Sequence, residues 1–491
     1  MTIVSAPPRI AVPAGFELPR IATGLWQIAD MERDGRTVDI DAAAASMLSY
    51  ARAGFDAFDM ADHYGSAELI TGRFLKLAQA EGLKPFVSTK WCPTPGPMTR
   101  EVVRAGVQRS LDRLGVESVD LMQFHWWSFE HLAYLDALAE MEAMRSEGII
   151  RHLGLTNFNT DHLALVVRNG ITIATNQVSF SLLDRRAAGE MSAFCLESDI
   201  RVLAYGTMGG GWLSERWLGV AEPEGPADWS KMKYRRFVDA IGGWDALQGI
   251  LGAASDIAKK HGVSLSNVAT RWVLDHPAVA AAIIGARLGE REHRADNLKA
   301  FAFHLDAEDH ARLDAAFTAS TPLPGDCGDE YRKPPFLTAS GDLSHHLASL
   351  PQIYKAEPVP GKPGRLRVDS GSIWEPIAGY SRAVRIGERI LVSGTTATHA
   401  DGSIVCPGDV AGQTTYILDK IAASITALGG ALDDVVRTRV YLKDAAAWEP
   451  ASRVHGRFFG SIRPANTLLE IGALVGPYEI EIEAEAVVDA A

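Results

Sequence analysis

Along the first two thirds of the chain, apolar residues come in short runs of strand length, each followed by a longer stretch with helical spacing. The runs are RIATGLWQ (20–27), GFDAFDMA (54–61), PFVSTKW (85–91), VDLMQFHW (119–126), RHLGLTN (151–157), TIATNQVSF (172–180), IRVLAYGT (200–207) and AAAIIGA (280–286). Between them lie segments such as TREVVRAGVQRSLDRLG (99–115) and HLAYLDALAEMEAMRSEG (131–148). In these, apolar residues recur at three- and four-residue intervals and a glycine closes the pattern, as at many helix ends. Strands that alternate with helices predict a parallel sheet, and eight such units predict an α/β fold closed into a (β/α)8 TIM barrel. The competing arrangement is an open doubly wound sheet, but no GxGxxG follows the first run. GGG at 209–211, after the seventh run, is by itself only a flexible-turn signal.

Residues 321–370 break the pattern. TPLPGDCGDEYRKPPF and YKAEPVPGKPGR are rich in Pro, Gly and charge, and read as a linker or extended excursion. From 371 to 491 a different order follows: a hairpin (AVRIGERILVSGTTAT), a long amphipathic helix (TTYILDKIAASITALGG), a strand (VVRTRVYLKD), a helix (WEPASRVHGRFFG) and two strands (NTLLEIGAL, YEIEIEAEAVV). The last strand alternates acid and apolar residues, so one face is buried and one wet. The expected organisation is a barrel over 1–320, a linker over 321–370 and a small α+β domain over 371–491, with no internal repeat.

With 491 residues, 47% apolar and 22% charged, the chain has room for two or three globular cores. A net charge of -13 argues against nucleic acid or an anionic membrane as partner, since both demand a basic footprint. Four cysteines lie far apart without a CxxC pair, so neither a metal site nor a disulfide framework is expected. The amino-terminal MTIVSAPPRIAVP lacks the basic segment and apolar run of a secretion signal, and no stretch reaches the roughly 20 apolar residues that span a bilayer. A cytoplasmic protein is expected.

Polar residues collect at the ends of the predicted strands. Asp59 and Tyr64 close the second, Lys90 the third, His125 the fourth, Asn157 the fifth, Gln177 the sixth and Tyr205 the seventh. Singly, each has a structural explanation: a turn acid, a snorkelling lysine, a hydrogen-bonded core imidazole. Together they fall at the carboxyl end of the barrel, where such folds place their chemistry. A phenol has a reference pKa of about 10, and a nearby ammonium favours its ionised form. Lys90 would need an anion to stay charged and oriented, and Asp59 supplies one. An imidazole opposite could hold a carbonyl oxygen toward the phenol, which makes Tyr64 a candidate general acid for a carbonyl that receives hydride.

GFDAFDMADHYG, STKW, VDLMQFHW, GLTNF, NQVSF, LAYGTMGGG and AIIGARLGEREHRADN resemble, in that order, the motifs of the aldo-keto reductases. The resemblance covers roughly residues 15 to 315. It implies a catalytic tetrad of Asp59, Tyr64, Lys90 and His125, with Asn157 and Gln177 on the nicotinamide carboxamide and Tyr205 stacked on its ring. It also implies NADP(H) as cofactor and a small-molecule carbonyl compound as substrate. The basic cluster of Arg287, Arg291, His293 and Arg294 then has a use on an acidic protein: Arg287 is expected at the 2′-phosphate and Asn297 near the adenine. Trp26, Trp91 and Trp126 sit just beyond strand ends, placed either to line an aromatic substrate pocket or to pack in the core.

Residues 371–491 resemble the RidA/YjgF group of reactive-intermediate deaminases, through GYSRAVRIGERILVSG, QTTYILDKIAASITALGGALDDVVRTRVYL, RPANTLLEIGALV and EIEIEAEAV. That group forms trimers, which implies a homo-oligomer, a trimer or a multiple of one. Its active members grip the substrate carboxylate with an arginine where this chain has Asn466, while Glu481 matches their water-positioning acid. An amide cannot supply the charged bidentate fork. The leading expectation is therefore an NADPH-dependent carbonyl reductase joined to a degenerate RidA-like module for assembly or ligand binding. A bifunctional enzyme that also hydrolyses an imine or enamine, and a non-catalytic NADPH-binding scaffold, are the alternatives.

Overall fold

The computed structural model describes residues 4–32, 35–225, 228–332 and 350–489. A hairpin of β1 (Arg9–Val12) and β2 (Phe16–Pro19) precedes eight parallel strands: β3 (Ile21–Gly24), β4 (Ala57–Asp59), β5 (Phe86–Trp91), β6 (Val119–His125), β7 (Ile150–Thr156), β8 (Thr175–Ser179), β9 (Arg201–Tyr205) and β10 (Val279–Gly285). β10 pairs with both β3 and β9, which closes the barrel. All eight predicted runs form these strands. Val12 and Leu18 of the hairpin pack with Ala57, Leu121, Leu203 and Ala281, so the hairpin caps one end and leaves the polar strand ends at the other.

The helices begin and end where side chains can satisfy their free backbone groups. The Thr99 side chain accepts from the Val102 amide to start the Arg100–Leu114 helix, and Gly115, at φ 66°, ends it in the left-handed conformation that glycine tolerates. The next helix spans Tyr134–Ser146, beginning later than its apolar pattern. Residues ahead of it are held in a loop in which Trp126 Nε1 donates to His131 O at 2.9 Å.

Strands β11 (Glu357–Pro358), β12 (Arg365–Val368), β13 (Ala383–Ile386), β14 (Arg389–Thr395), β15 (Val435–Leu442), β16 (Ala465–Glu470) and β17 (Ile480–Val487) form a second sheet in the order β11-β12-β13-β14-β17-β15-β16. Its helices span Val410–Ala427 and Trp448–Phe459. Ile480, Ile482, Ala484 and Ala486 are buried on one face of β17, as its alternation requires. Glu483 and Glu485 on the opposite face pair with Arg439 at 2.9 and 3.0 Å.

The expected linker is corrected at both of its described ends. β11 and β12 belong to the second sheet, which therefore begins before residue 371. Residues 326–332 fold back over the barrel, burying Asp329, Glu330 and Tyr331. Pro and Gly end local periodicity, but they do not stop backbone from pairing with a distant strand.

The Val410–Ala427 helix is buried nearly all round. One side meets the second sheet and the other the Thr160–Arg168 helix of the barrel, which explains its apolar residues on every face. Polar contacts frame this seam: Arg168 with Asp409 at 3.0 Å, Arg457 with Glu190 at 2.5 Å, and the Cys406 amide to Asn169 Oδ1 at 3.1 Å. Among the described residues no helix is long and apolar enough to cross a membrane.

Gly106 lies inside the Arg100–Leu114 helix, where a Cβ would stand 2.4 Å from the Trp91 ring. Helix propensity alone would make Gly106→Ala stabilising by about 1 kcal/mol. Overpacking predicts instead a loss of roughly 1–3 kcal/mol, read as a lower urea midpoint. A raised midpoint would show that Trp91 does not occupy that space.

Candidate active site

At the open end of the barrel Lys90, 2% exposed, donates to Asp59 Oδ2 at 2.6 Å and to Met60 O at 2.9 Å. The other Asp59 oxygen accepts from Gln123 Nε2 at 2.9 Å and Gln177 Nε2 at 2.7 Å. Strands β4, β5, β6 and β8 are thus tied through one carboxylate. The Lys90 ammonium lies 5.1 Å from the centroid of the Tyr64 ring. Trp26 and His63 meet that ring edge-on, with centroids at 5.0 and 4.8 Å. The turn that presents Tyr64 depends on Gly65, at φ 54°: any Cβ there would meet Glu32 Oε2 at 2.0 Å, and Glu32 also accepts from the Ser66 amide.

His125 is buried, and among the described residues neither ring nitrogen has a hydrogen-bond partner. Burial pushes its imidazole well below the ordinary value of 6.5, and Arg332, His63, Lys233 and Lys90 add to the push. A neutral imidazole with an unmet N–H, facing a cavity, is a ready donor to an uncharged oxygen.

The cavity measures about 650 Å³. It is lined by all four tetrad residues, by Asn157, Gln177 and Tyr205, by Trp26, and by Arg287, Arg291, His293 and Asn297. Asn157 sits at φ 58°, which asparagine accepts more readily than most residues, and its Oδ1 accepts from the Tyr205 hydroxyl at 2.7 Å. Burial raises the Tyr205 phenol well above its ordinary range. Arg287 pairs with Asp30 and lies 3.7 Å from Glu290. Arg294 turns away to Glu292 and the Tyr50 ring, outside the cavity.

Two of the three expected pocket tryptophans belong to the core. Trp91 packs on Phe124 and against Gly106, and Trp126 is fully buried with its indole on His131 O. Each directly follows an inward residue, Lys90 or His125, and successive side chains on a strand face opposite ways. The same alternation brings Trp127 to the cavity, its ring 4.2 Å from that of His125. Tyr331 completes the wall from beyond the barrel, 5.4 Å from His125 and 6.2 Å from Trp127 between ring centroids. Its neighbour Glu330 is anchored by Arg186 at 2.8 Å, which also holds Asp184 at 2.7 Å. Lys233, another lining residue, lies 5.1 Å from the Tyr205 ring and 4.6 Å from that of Tyr331.

The strand alternation could have found Gln123 and Trp127, which share the parity of His125; no local signal marks Lys233 or Tyr331. Beside Tyr64, ligand atoms of Asp62, His63 and Cys92 come within 4.8 Å of one another, a grouping that the wide cysteine spacing conceals. In the second domain, Asn466 Nδ2 donates to Thr438 Oγ1 at 2.9 Å, whereas Glu481 is opposite Tyr441. Thr438 and Tyr441 are three positions apart on β15, so the expected cleft pair lies on opposite faces of the sheet and does not meet within one chain.

The family model described as aldo/keto reductase family matches residues 20–317, and that described as endoribonuclease L-PSP matches residues 372–488. Pyridoxal reductase of Arabidopsis thaliana is 28% identical over 284 residues, 54% of this chain and 73% of the relative. A RutC family protein of Pyrococcus abyssi is 33% identical over 113 residues, 23% of this chain and 87% of the relative. The structure of a glycerol dehydrogenase from Gluconobacter oxydans superposes with a TM-score of 0.53 at 24% identity, covering 65% of this chain and 97% of the other, a likeness of fold.

The environment of His125 sets a pH expectation. Its pKa is depressed in the folded protein, so on acidification the unfolded chain takes up this proton first. Its contribution to stability is complete above about 6.5 and declines as pH falls below that value. Its ring resonances in NMR should stay those of a neutral imidazole from pH 8 down to about 6. A titration midpoint near 6.5 would show a solvated ring.

Proposed function

The chain belongs to the aldo/keto reductase family, and we propose that it is an NADP(H)-dependent oxidoreductase that reduces a small aldehyde or ketone to the alcohol. The observation that carries this reading is the unpartnered, neutral His125 facing a cavity beside Tyr64 and the Lys90–Asp59 pair. The donor set fits the cofactor: amides of Asn157 and Gln177 and the Tyr205 ring at one part of the cavity, cations of Arg287 and Arg291 and the Asn297 amide at another. Asn157 and Gln177 would hold the carboxamide, Tyr205 would lie on the nicotinamide ring, and Arg287, exchanging the Asp30 carboxylate for another anion, would hold the 2′-phosphate. When bound, NADPH supplies the hydride.

The protein's own residues handle the proton. A carbonyl oxygen accepts from the neutral His125 ring and from the Tyr64 hydroxyl, so both polarise the bond. As hydride reaches the carbon, negative charge grows on that oxygen and the Tyr64 proton passes to it. The ammonium of Lys90 steadies the phenolate left behind, and Asp59 keeps that ammonium charged and aimed. Trp26, Trp127 and Tyr331 shield the reacting atoms from water, which strengthens each of these interactions.

Residues 372–488 form a domain of the second matched family, and we assign it to assembly rather than deamination. Asn466 stands where the carboxylate-gripping arginine is expected, and it is committed to Thr438 on the face away from Glu481. The helices cover one face of the sheet. The other, with Leu391, Leu469 and the paired Arg439, Glu483 and Glu485, is available to further copies.

Tyr64→Phe is expected to leave NADPH affinity nearly unchanged and to lower turnover of a good carbonyl substrate by at least ~10²-fold in an NADPH-oxidation assay. Near-full activity would remove Tyr64 from its role. For the second domain, light scattering of the full chain should give the mass of a trimer or its multiple, and ammonia release from 2-aminoacrylate should not exceed that of buffer. A sharp monomer contradicts the assembly role, and robust ammonia release contradicts the inactive cleft.

A further inference from the structure

The segment that carries Tyr331 is not held by the barrel alone. The next residue, Arg332, donates to Asn157 O at 2.5 Å, to Gly328 O at 2.9 Å and to Trp126 O. Its guanidinium also lies 4.1 Å from the centroid of the Phe129 ring. Phe129 in turn stacks on the His162 imidazole, with centroids 3.5 Å apart and planes 9° from parallel. His162 Nε2 lies 2.8 Å from Asp419 Oδ2, and Asp419 belongs to the Val410–Ala427 helix of the second domain. The side chains of His162 and Asp419 are 4% and 5% exposed. From the same helix Thr426 hydrogen-bonds Glu130, the neighbour of Phe129.

The hydrogen bonds of His162 define its orientation. Nδ1 lies 2.7 Å from Asn159 Oδ1, an oxygen that also accepts from the His162 amide at 3.0 Å. Both ring nitrogens are therefore engaged by neighbouring oxygens. The ring is fixed at both ends and cannot rotate away from Phe129 without breaking a buried contact. A plain domain clamp would need only the seam contacts at Asp409 and Cys406. The Asp419 contact instead reaches the ring on which the Phe129–Arg332 packing rests.

We propose that Asp419 and His162 are positioning residues for the reductase site, so that the second domain helps to set the substrate wall of the first. Asp419 fixes His162, His162 fixes Phe129, and Phe129 supports the Arg332 guanidinium. That guanidinium ties residues 328–332 to the strand ends that bear Trp126 and Asn157. Tyr331 is then held against His125 and Trp127 at the carbonyl site. The proposal rests on the carbonyl-reductase reading of the barrel, and it concerns the geometry of the wall, not the chemistry of the tetrad.

The test uses the full chain with Asp419→Ala, and with Asp419→Asn as the variant that keeps the shape and an acceptor oxygen. Asp419→Ala is expected to raise the carbonyl substrate KM by at least about fivefold, with kcat and NADPH affinity much less affected, because a misplaced wall costs positioning. Asp419→Asn should recover part of that loss. In parallel, amide hydrogen exchange across residues 326–332 should quicken in Asp419→Ala, relative to wild type. Unchanged KM, with faster exchange confined to the seam helices, would overturn the proposal and leave a simple clamp. If the wild type reduces no carbonyl compound, the reductase reading fails by itself. Exchange in 326–332 then decides the positioning role, and unchanged exchange there overturns it. Should Asp419→Ala not fold, the same two readouts on Asp419→Asn decide, wild-type values for both overturning the proposal.

Discussion

A buried ammonium must be neutralised by a carboxylate that cannot move away, and the Lys90–Asp59 pair at the mouth of the barrel meets that demand. Withdrawing both charges from water costs several kcal/mol per ion, and their attraction returns it only with good geometry and no idle lone pairs. Gln123 and Gln177 supply the missing donors from β6 and β8. Only a closed sheet brings four strand ends around one carboxylate. Barrel closure, side-chain parity on the strands and the choice of amides beside the acid are therefore parts of one requirement. Buried ion pairs often add little net stability over hydrophobic residues of similar size, so packing alone does not account for this one.

The strand runs were legible because they obey local rules, and the polar residues at their ends were legible as a group that one cavity now collects. Each strand is a short apolar run, and Asp59, Lys90 and His125 lie at or next to the ends of theirs. The errors have equally physical origins. Proximity to a strand end left Trp91 and Trp126 open between pocket and core, and strand parity decides for the core, against the helices. The stretch GDEYR was read as linker because Pro and Gly surround it, yet its fold is set by Arg186, Asn157 and Trp126, all more than a hundred residues upstream. No local window contains those partners. Asn466 and Glu481 were paired by likeness to a family, and β15 shows that the register puts them on opposite faces.

The two domains share more than a tether. A helix that would ordinarily show one face to solvent has a sheet on one side and a barrel helix on the other, and its sequence is apolar on both. Such a helix cannot be exposed without a large hydrophobic penalty. The seam is thus a property of the sequence of the second domain as much as of the barrel, and the two cores form one continuous cluster.

The position of Tyr331 along the chain has a consequence for biosynthesis. When the ribosome has released residues through Thr318, it has delivered all eight barrel strands and the complete tetrad. Tyr331 follows, and Asp419 emerges about ninety residues after it. The nascent barrel can close around Lys90 and Asp59 before the segment that packs Tyr331 against His125 exists. The barrel is thus complete in sequence before either the residue that covers its mouth or the helix that braces that cover.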